Sequence, residues 1–183
     1  MVKPLSGSLA FPVQGLSYGK KMDASHETHW LTAQEQQVWA QLSTMILRLQ
    51  PVLSARLQRE FGISQIDYLI MARLSEATES MLRMSVLATL CGSSLPRLSQ
   101  AVGRLEKRGW LSRQSDPEDS RYTLAVLSPA GLRKLEEVAP SHVEDVREFV
   151  FDRLTPAQVR QLGTISQRII DGLPPDESWP RTS

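Results

Sequence analysis

Apolar residues recur in steps of three and four through Val38, Leu42, Met45, Ile46, Leu49, Val52, Leu53 and Leu57, marking one helical face. Thr32-Ala-Gln-Glu35 has the spacing of a capping box at its start, and Gly62 provides a stop. Pro51 interrupts the run, which predicts a kink or two collinear helices near 32–59. Ser64-Gln-Ile-Asp67 opens a second helix carrying Leu69, Ile70 and Leu74. Ser85 is read as the cap of a short third helix that reaches about Leu90 and ends at Gly92. A fourth begins at Ser94, turns Leu98, Ala101, Val102 and Leu105 inward, and closes at Gly109. The stretches 110–114 and 121–127 read as two strands joined by the turn-rich SDPEDS, a β-hairpin. Tyr122, Leu124 and Val126 are expected to share one face of it. Ser128-Pro129 and Thr155-Pro156 each pair a cap with Pro at the first helical position and start two more helices. The first of these carries Leu132, Leu135, Val138, Val143, Val146, Phe149 and Val150, with a bend at Pro140.

This order predicts a mainly α chain with a small β-hairpin wing, a winged helix-turn-helix with a terminal-helix dimerisation region. The boundaries follow. Residues 1–29 form an arm with no sustained period, 30–172 the folded part, and 173–183 a polar tail. Within the folded part the reading head spans about 64–127, and the dimerisation helices about 30–60 and 128–172. Trp30, Leu31, Val38, Leu154, Val159, Leu162, Ile165 and Ile169 carry more apolar surface than the reading head needs, which suits a homodimer.

Composition narrows the class. A lone Cys among 183 residues excludes an internal disulfide and a CxxC metal site. No apolar run approaches the ~18–20 residues that span a bilayer. The first residues lack an apolar signal core, so a reduced, cytoplasmic setting is expected. His26, His29 and His142 are too scattered for a metal site, and no cofactor loop or nucleophile arrangement points to an enzyme.

The formal net charge is only +1, which at first argues against a nucleic-acid partner. That sum hides a gradient. Residues 83–113 hold six basic side chains against the single acidic Glu106, while 114–183 hold eight against twelve. Local charge matters within a Debye length of ~8 Å.

On the fourth helix Arg97, Gln100 and Arg104 lie opposite the apolar face, at i, i+3 and i+7. An Arg fork suits guanine O6 and N7, and a Gln amide suits adenine N6 and N7. Ser94 and the helix start can meet a phosphate. Arg121, just past the hairpin tip, suits a narrow minor groove, with Asp119 orienting its guanidinium. Lys107 and Arg108 are assigned to phosphates or solvent.

The run LRMSVLATLCGSSLPRLSQAVGRLEKRGWLSR, followed by DPEDSRYTLAVLSPAG, resembles the MarR family of regulators. The D-P-x-D-x-R tip and the following L-[ST]-x-x-G are the most specific part. WLTAQEQQVW resembles the opening helix of one branch of that family. The resemblance implies a homodimeric repressor on a palindromic double-stranded operator, released by a small, often phenolic, ligand or an oxidant. Carried onto this chain, it implies Ser94, Pro96, Arg97, Gln100 and Arg104 as base and phosphate readers, with Arg121 in the minor groove and Asp119 its anchor. Two positions depart from the pattern. Ser93 stands where an apolar residue usually follows the turn glycine, which is expected to loosen or expose the turn. Ser120-Arg121 stands where two arginines are common, one basic contact fewer.

Two other readings stay open on the residues alone. Cys91 falls beside the turn, where its oxidation would disturb the reading head, so a redox-sensing regulator is one. A winged-helix protein-interaction module without DNA binding, using the acidic C-terminal half, is the other. For an effector pocket, Trp39, Met45, Met71 and Phe149 are candidate liners, but each taken singly reads first as ordinary core, and no ligand residue is assigned.

Overall fold

The computed structural model describes residues 29–173. The expected arm and tail lie outside them, apart from His29 and Leu173, as does His26. Internal contacts divide the described residues into two units, which part between Trp39 and Ala40.

In the first unit, Thr32 opens helix α1 (Ala33–Phe61). The Glu35 carboxylate accepts from the Thr32 amide at 2.7 Å, and Thr32 Oγ1 accepts from the Glu35 amide at 3.3 Å. These two bonds satisfy donors that a helix start leaves orphaned. Trp30, Leu31, Val38 and Trp39 are exposed.

In the second unit α1 continues to Phe61 without interruption, so Pro51 neither divides it nor ends it. The helical bond lost at Pro51 would have reached the carbonyl of Leu47, and both residues are exposed, where water can replace it. Gly62, at φ +66°, stops the helix. Helix α2 (Gln65–Glu76) starts with a complete capping box between Ser64 and Asp67. A tight 3-10 turn at Thr78–Ser80 then leads into strand β1 (Met81–Arg83).

Strand β1 was not expected from the sequence. It hands over directly to helix α3 (Met84–Leu90), whose N-cap is Arg83 with no side-chain cap bond, so Ser85 is not the cap. Helix α4 (Leu95–Lys107), strand β2 (Leu111–Ser115) and strand β3 (Thr123–Leu127) follow. Helices α5 (Pro129–Phe149) and α6 (Pro156–Asp171) close the chain, both opened by the Ser-Pro and Thr-Pro signals. Pro140 does not interrupt α5.

The hairpin is part of a three-stranded antiparallel sheet in the order β1-β3-β2. Met81 pairs with Val126 and Arg83 with Leu124 on one side of β3, and Leu111 pairs with Leu127 on the other. As the central strand, β3 does not keep the expected alternation. Leu124, Ala125 and Leu127 are all buried, Val126 is half-buried, and Tyr122 lies exposed just before the strand.

The core joins α2, α3, α4 and the sheet. The inward residues expected on α4, Leu98, Ala101, Val102 and Leu105, are at most 1% exposed. Leu57 of α1 and Leu135 and Val138 of α5 pack into the same cluster, so the core continues past residue 127. Met71 is fully buried in this cluster. By contrast, α6 buries none of its residues.

Gly131 shows why the first turn of α5 needs glycine. A Cβ there would lie 2.2 Å from the Trp110 carbonyl oxygen and 2.8 Å from Leu127. That carbonyl accepts from the Ser128 amide at 3.0 Å, so helix start and sheet edge are locked at contact distance.

Candidate nucleic-acid interface

The turn between α3 and α4 is built by backbone bonds. Gly92, at φ +57°, donates to the Thr89 carbonyl at 3.1 Å, and Ser93 donates to the Ala88 carbonyl at 3.0 Å. This is the paired bonding of a Schellman stop, which needs a left-handed residue at the glycine. Ser93 does not leave the turn exposed, since it is itself buried and its hydroxyl donates to the Ser94 carbonyl at 3.3 Å. Ala88 is fully buried where the two helices meet.

Helix α4 begins at the N-cap Ser94, with extended backbone and no side-chain cap bond, and Pro96 in the first turn. Its first amides are therefore uncapped by side chains. Arg97 and Gln100 are exposed on the face opposite Leu98, Ala101 and Leu105. A shallow concavity of about 310 Å³ gathers Arg97, Gln100 and Arg104 with Ile66, Cys91, Gly92 and Ser93. Such a surface can offer a guanidinium fork and an amide to base edges.

The basic segment is less free than its count implied. Arg83 pairs with Asp116, Arg104 with Asp67 at 3.1 Å, and Arg113 with Glu106 at 3.1 Å. Arg108 donates to the Gly62 carbonyl at 2.9 Å and lies over the Trp110 ring, which is a structural role the sequence did not suggest. Among the described residues, Arg97 and Lys107 are the basic side chains of 83–113 that make no ion pair or hydrogen bond.

Arg104 stands apart from Arg97 in this respect. Asp67 is 5% exposed and uses one oxygen to cap α2, through the Ser64 amide at 3.0 Å, and the other to hold Arg104. The capping role was readable from the Ser64–Asp67 spacing. The second role required two helices 37 residues apart in sequence to meet.

At the hairpin tip the Asp119 carboxylate accepts from Arg121 Nε at 2.9 Å and Nη2 at 2.5 Å, a bidentate pair. This pairing holds the Asp119 carboxyl below the usual carboxylate range. The Arg121 side chain is 82% exposed, and its Nη1 makes no bond among the described residues. Deeper in, Asp116 accepts from the Glu118 amide at 2.9 Å and from Arg83 Nε at 2.6 Å, and those bonds lower its pKa in that order.

Cys91 sits in the concavity wall, half-buried, and burial pushes its thiol up to about 11. At neutral pH it is protonated, whereas a peroxide-sensing cysteine needs thiolate character. His142 is buried against the Tyr68 ring, 4.2 Å between centroids, and burial lowers its pKa. Among the described residues no group of three His, Cys, Asp or Glu gathers to hold a metal, and no helix is long and apolar enough to cross a membrane.

The MarR family profile matches residues 61–121, the stretch from the end of α1 through the hairpin tip. The solved structure of Sco3205 from Streptomyces coelicolor, a MarR family regulator in complex with DNA, is 42% identical with a TM-score of 0.78. That match covers 82% of this chain and 94% of Sco3205. AbsC, a MarR family regulator from the same organism, is 35% identical with a TM-score of 0.74, over 79% of this chain and 97% of AbsC. The transcriptional repressor MprA of Escherichia coli is 25% identical over 112 residues, 61% of this chain and 63% of the repressor, so the chain spans less than two thirds of that relative. High identity across nearly the full length of two solved regulators joins the helix-turn-helix and sheet described above. The chain belongs to the MarR family of transcriptional regulators.

Proposed function

We propose that the chain is a homodimeric repressor that reads a palindromic double-stranded operator with α4 and the hairpin, and is released by a small ligand. The carrying observation is the exposed pair Arg97 and Gln100, unpartnered beside the uncapped start of α4, in a chain 42% identical to a regulator solved on DNA. Arg97 takes a guanine edge, Gln100 an adenine edge, and Ser94, Pro96 and the first amides a phosphate. Arg121, oriented by Asp119, enters the minor groove. Arg104, held by Asp67, contributes through whichever of its donors remain outward.

The reading head takes about 64–127 in this account, and the helices at about 30–60 and 128–172 form the dimer. Exposed apolar residues on the terminal helices support the second part. Ile165, Ile169 and Ile170 of α6 are 55%, 47% and 59% exposed, and Met45, Ile46 and Val52 of α1 are similarly open. A second copy would cover such surface.

The place we assign to a small aromatic effector is an open concavity of about 370 Å³ lined by Val52, Ala55, Arg56, Arg59, Asp145 and Phe149. Of the candidate liners read from the sequence, Phe149 is among these, and Trp39 and Met45 are exposed elsewhere.

Selection from a pool of random 30-base-pair duplexes tests the reading. The full chain is expected to enrich one inverted repeat, with half-sites about one helical turn apart. Enrichment of an unrepeated sequence would remove the symmetric dimer, and no enrichment at low salt would remove DNA reading.

A further inference from the structure

We propose that Arg83 is a positioning residue for the hairpin tip, fixing where Arg121 is presented by tying the start of α3 to both ends of the tip loop. The inference rests on the DNA-reading function proposed above and extends it to a side chain outside the reading surface.

The sheet order makes the arrangement specific. Strands β1 and β2 are its two edges, so no backbone ladder joins them. Arg83, at the end of β1, reaches across the central strand and donates from Nε to Asp116 at 2.6 Å. Asp116 is the first residue after β2, and its side chain is only 5% exposed. The same guanidinium stacks on Tyr122, the last residue before β3, with its central carbon 4.5 Å from the ring centroid. One side chain therefore holds the loop at its entry and at its exit.

From there the bonding runs outward to the tip. The Asp116 amide donates to the Tyr122 carbonyl at 3.0 Å, which closes the loop base. The Asp116 carboxylate also accepts from the Glu118 amide, and the Tyr122 amide donates to the Asp119 carbonyl at 3.0 Å. Asp119 then holds Arg121. Arg83 is also the N-cap residue of α3, so the tip is referenced to the helix-turn-helix. A charge-assisted bond and a cation–ring contact are the interactions that restrict a loop whose own pairing would fray.

The test uses the full-length protein and a duplex enriched by the wild type from random sequence. Arg83→Gln is expected to weaken binding about tenfold, with hydroxyl-radical protection lost at the flanking minor groove and kept where α4 binds. In an Arg121→Ala background the same change should add almost nothing, because both act on one contact. Arg83→Lys should restore part of the affinity. Multiplying effects, or a salt slope reduced by about one per subunit, would make Arg83 a direct phosphate contact and overturn the proposal. A uniform loss across the footprint, in step with a lower melting temperature, would make it merely structural.

Amide exchange judges the clamp without DNA. Arg83→Gln, and independently Asp116→Asn, should speed exchange at Tyr122 and Glu118 about tenfold and leave the β1–β3 ladder unchanged. Unchanged exchange in both variants overturns the proposal. If the wild type enriches no duplex, the DNA reading fails, and the exchange result still decides whether Arg83 holds the tip.

Discussion

Gly131→Ala is expected to destabilise the protein, although helix propensity alone predicts the reverse. Alanine in place of glycine inside a helix gains about 1 kcal/mol when space allows. Here the new Cβ would sit 2.2 Å from the Trp110 carbonyl oxygen and 2.8 Å from Leu127. The oxygen belongs to backbone and accepts the Ser128 amide bond, so it cannot retreat without breaking the start of α5. Overpacking of this kind costs about 1–3 kcal/mol or more. The clash outweighs the propensity, and the expected net loss is about 2 kcal/mol, or roughly 4–8 °C in melting temperature. Gly163 is the internal control. It lies in α6, and a Cβ there would meet nothing within 4 Å, so Gly163→Ala should raise stability by up to about 1 kcal/mol. Opposite signs at these two helical glycines, measured by thermal unfolding, would confirm the close approach. A stabilising Gly131→Ala would contradict it.

Arg97→Ala carries the largest expected functional effect. A bidentate Arg–guanine contact discriminates by about 1–3 kcal/mol, and a symmetric dimer loses it once in each half-site. The combined loss is about 2–6 kcal/mol, with relaxed preference at one base pair per half-site. Arg104→Ala should behave differently, because Arg104 is held by Asp67. It should cost less affinity and leave base preference intact. Binding measured against duplexes carrying each base at each half-site position separates the two. Equal weakening of all sequences by Arg97→Ala would make Arg97 a phosphate contact.

The fold was legible where a signal is local. The caps at Thr32, Ser64, Ser128 and Thr155, the inward face of α4 and the positive φ of Gly92 all follow from spacing of a few residues. The glycine of L-[ST]-x-x-G entered only as part of a family resemblance, and only the structure shows Trp110 as the reason for it. What stayed hidden depends on distant partners. Strand β1 is three residues long and exists through its pairing with β3 more than 40 residues on, so MLR carries no signal of its own. The basic segment misled for the same reason. Its six cations were counted correctly, but Asp67 and Asp116, which neutralise two of them, lie outside it in sequence. Arg97 was recognised by its helical position. Its lack of a competing partner, which distinguishes it from Arg104, was not available from spacing.

That redistribution of charge sets the decisive measurement. With Arg83, Arg104 and Arg113 matched by carboxylates, few cations per subunit remain for phosphates, chiefly Lys107 and Arg108, joined at the minor groove by Arg121, which is paired with Asp119 but 82% exposed. Affinity of the wild-type protein for its enriched duplex should be followed by fluorescence anisotropy between 50 and 200 mM salt. At about 0.9 counterions per phosphate, four to six contacts in a dimer predict a log–log slope of roughly −4 to −5, with a scrambled duplex bound far more weakly at every salt concentration. A slope near zero, or equal affinity for the scrambled duplex, would contradict sequence-specific DNA reading by this face.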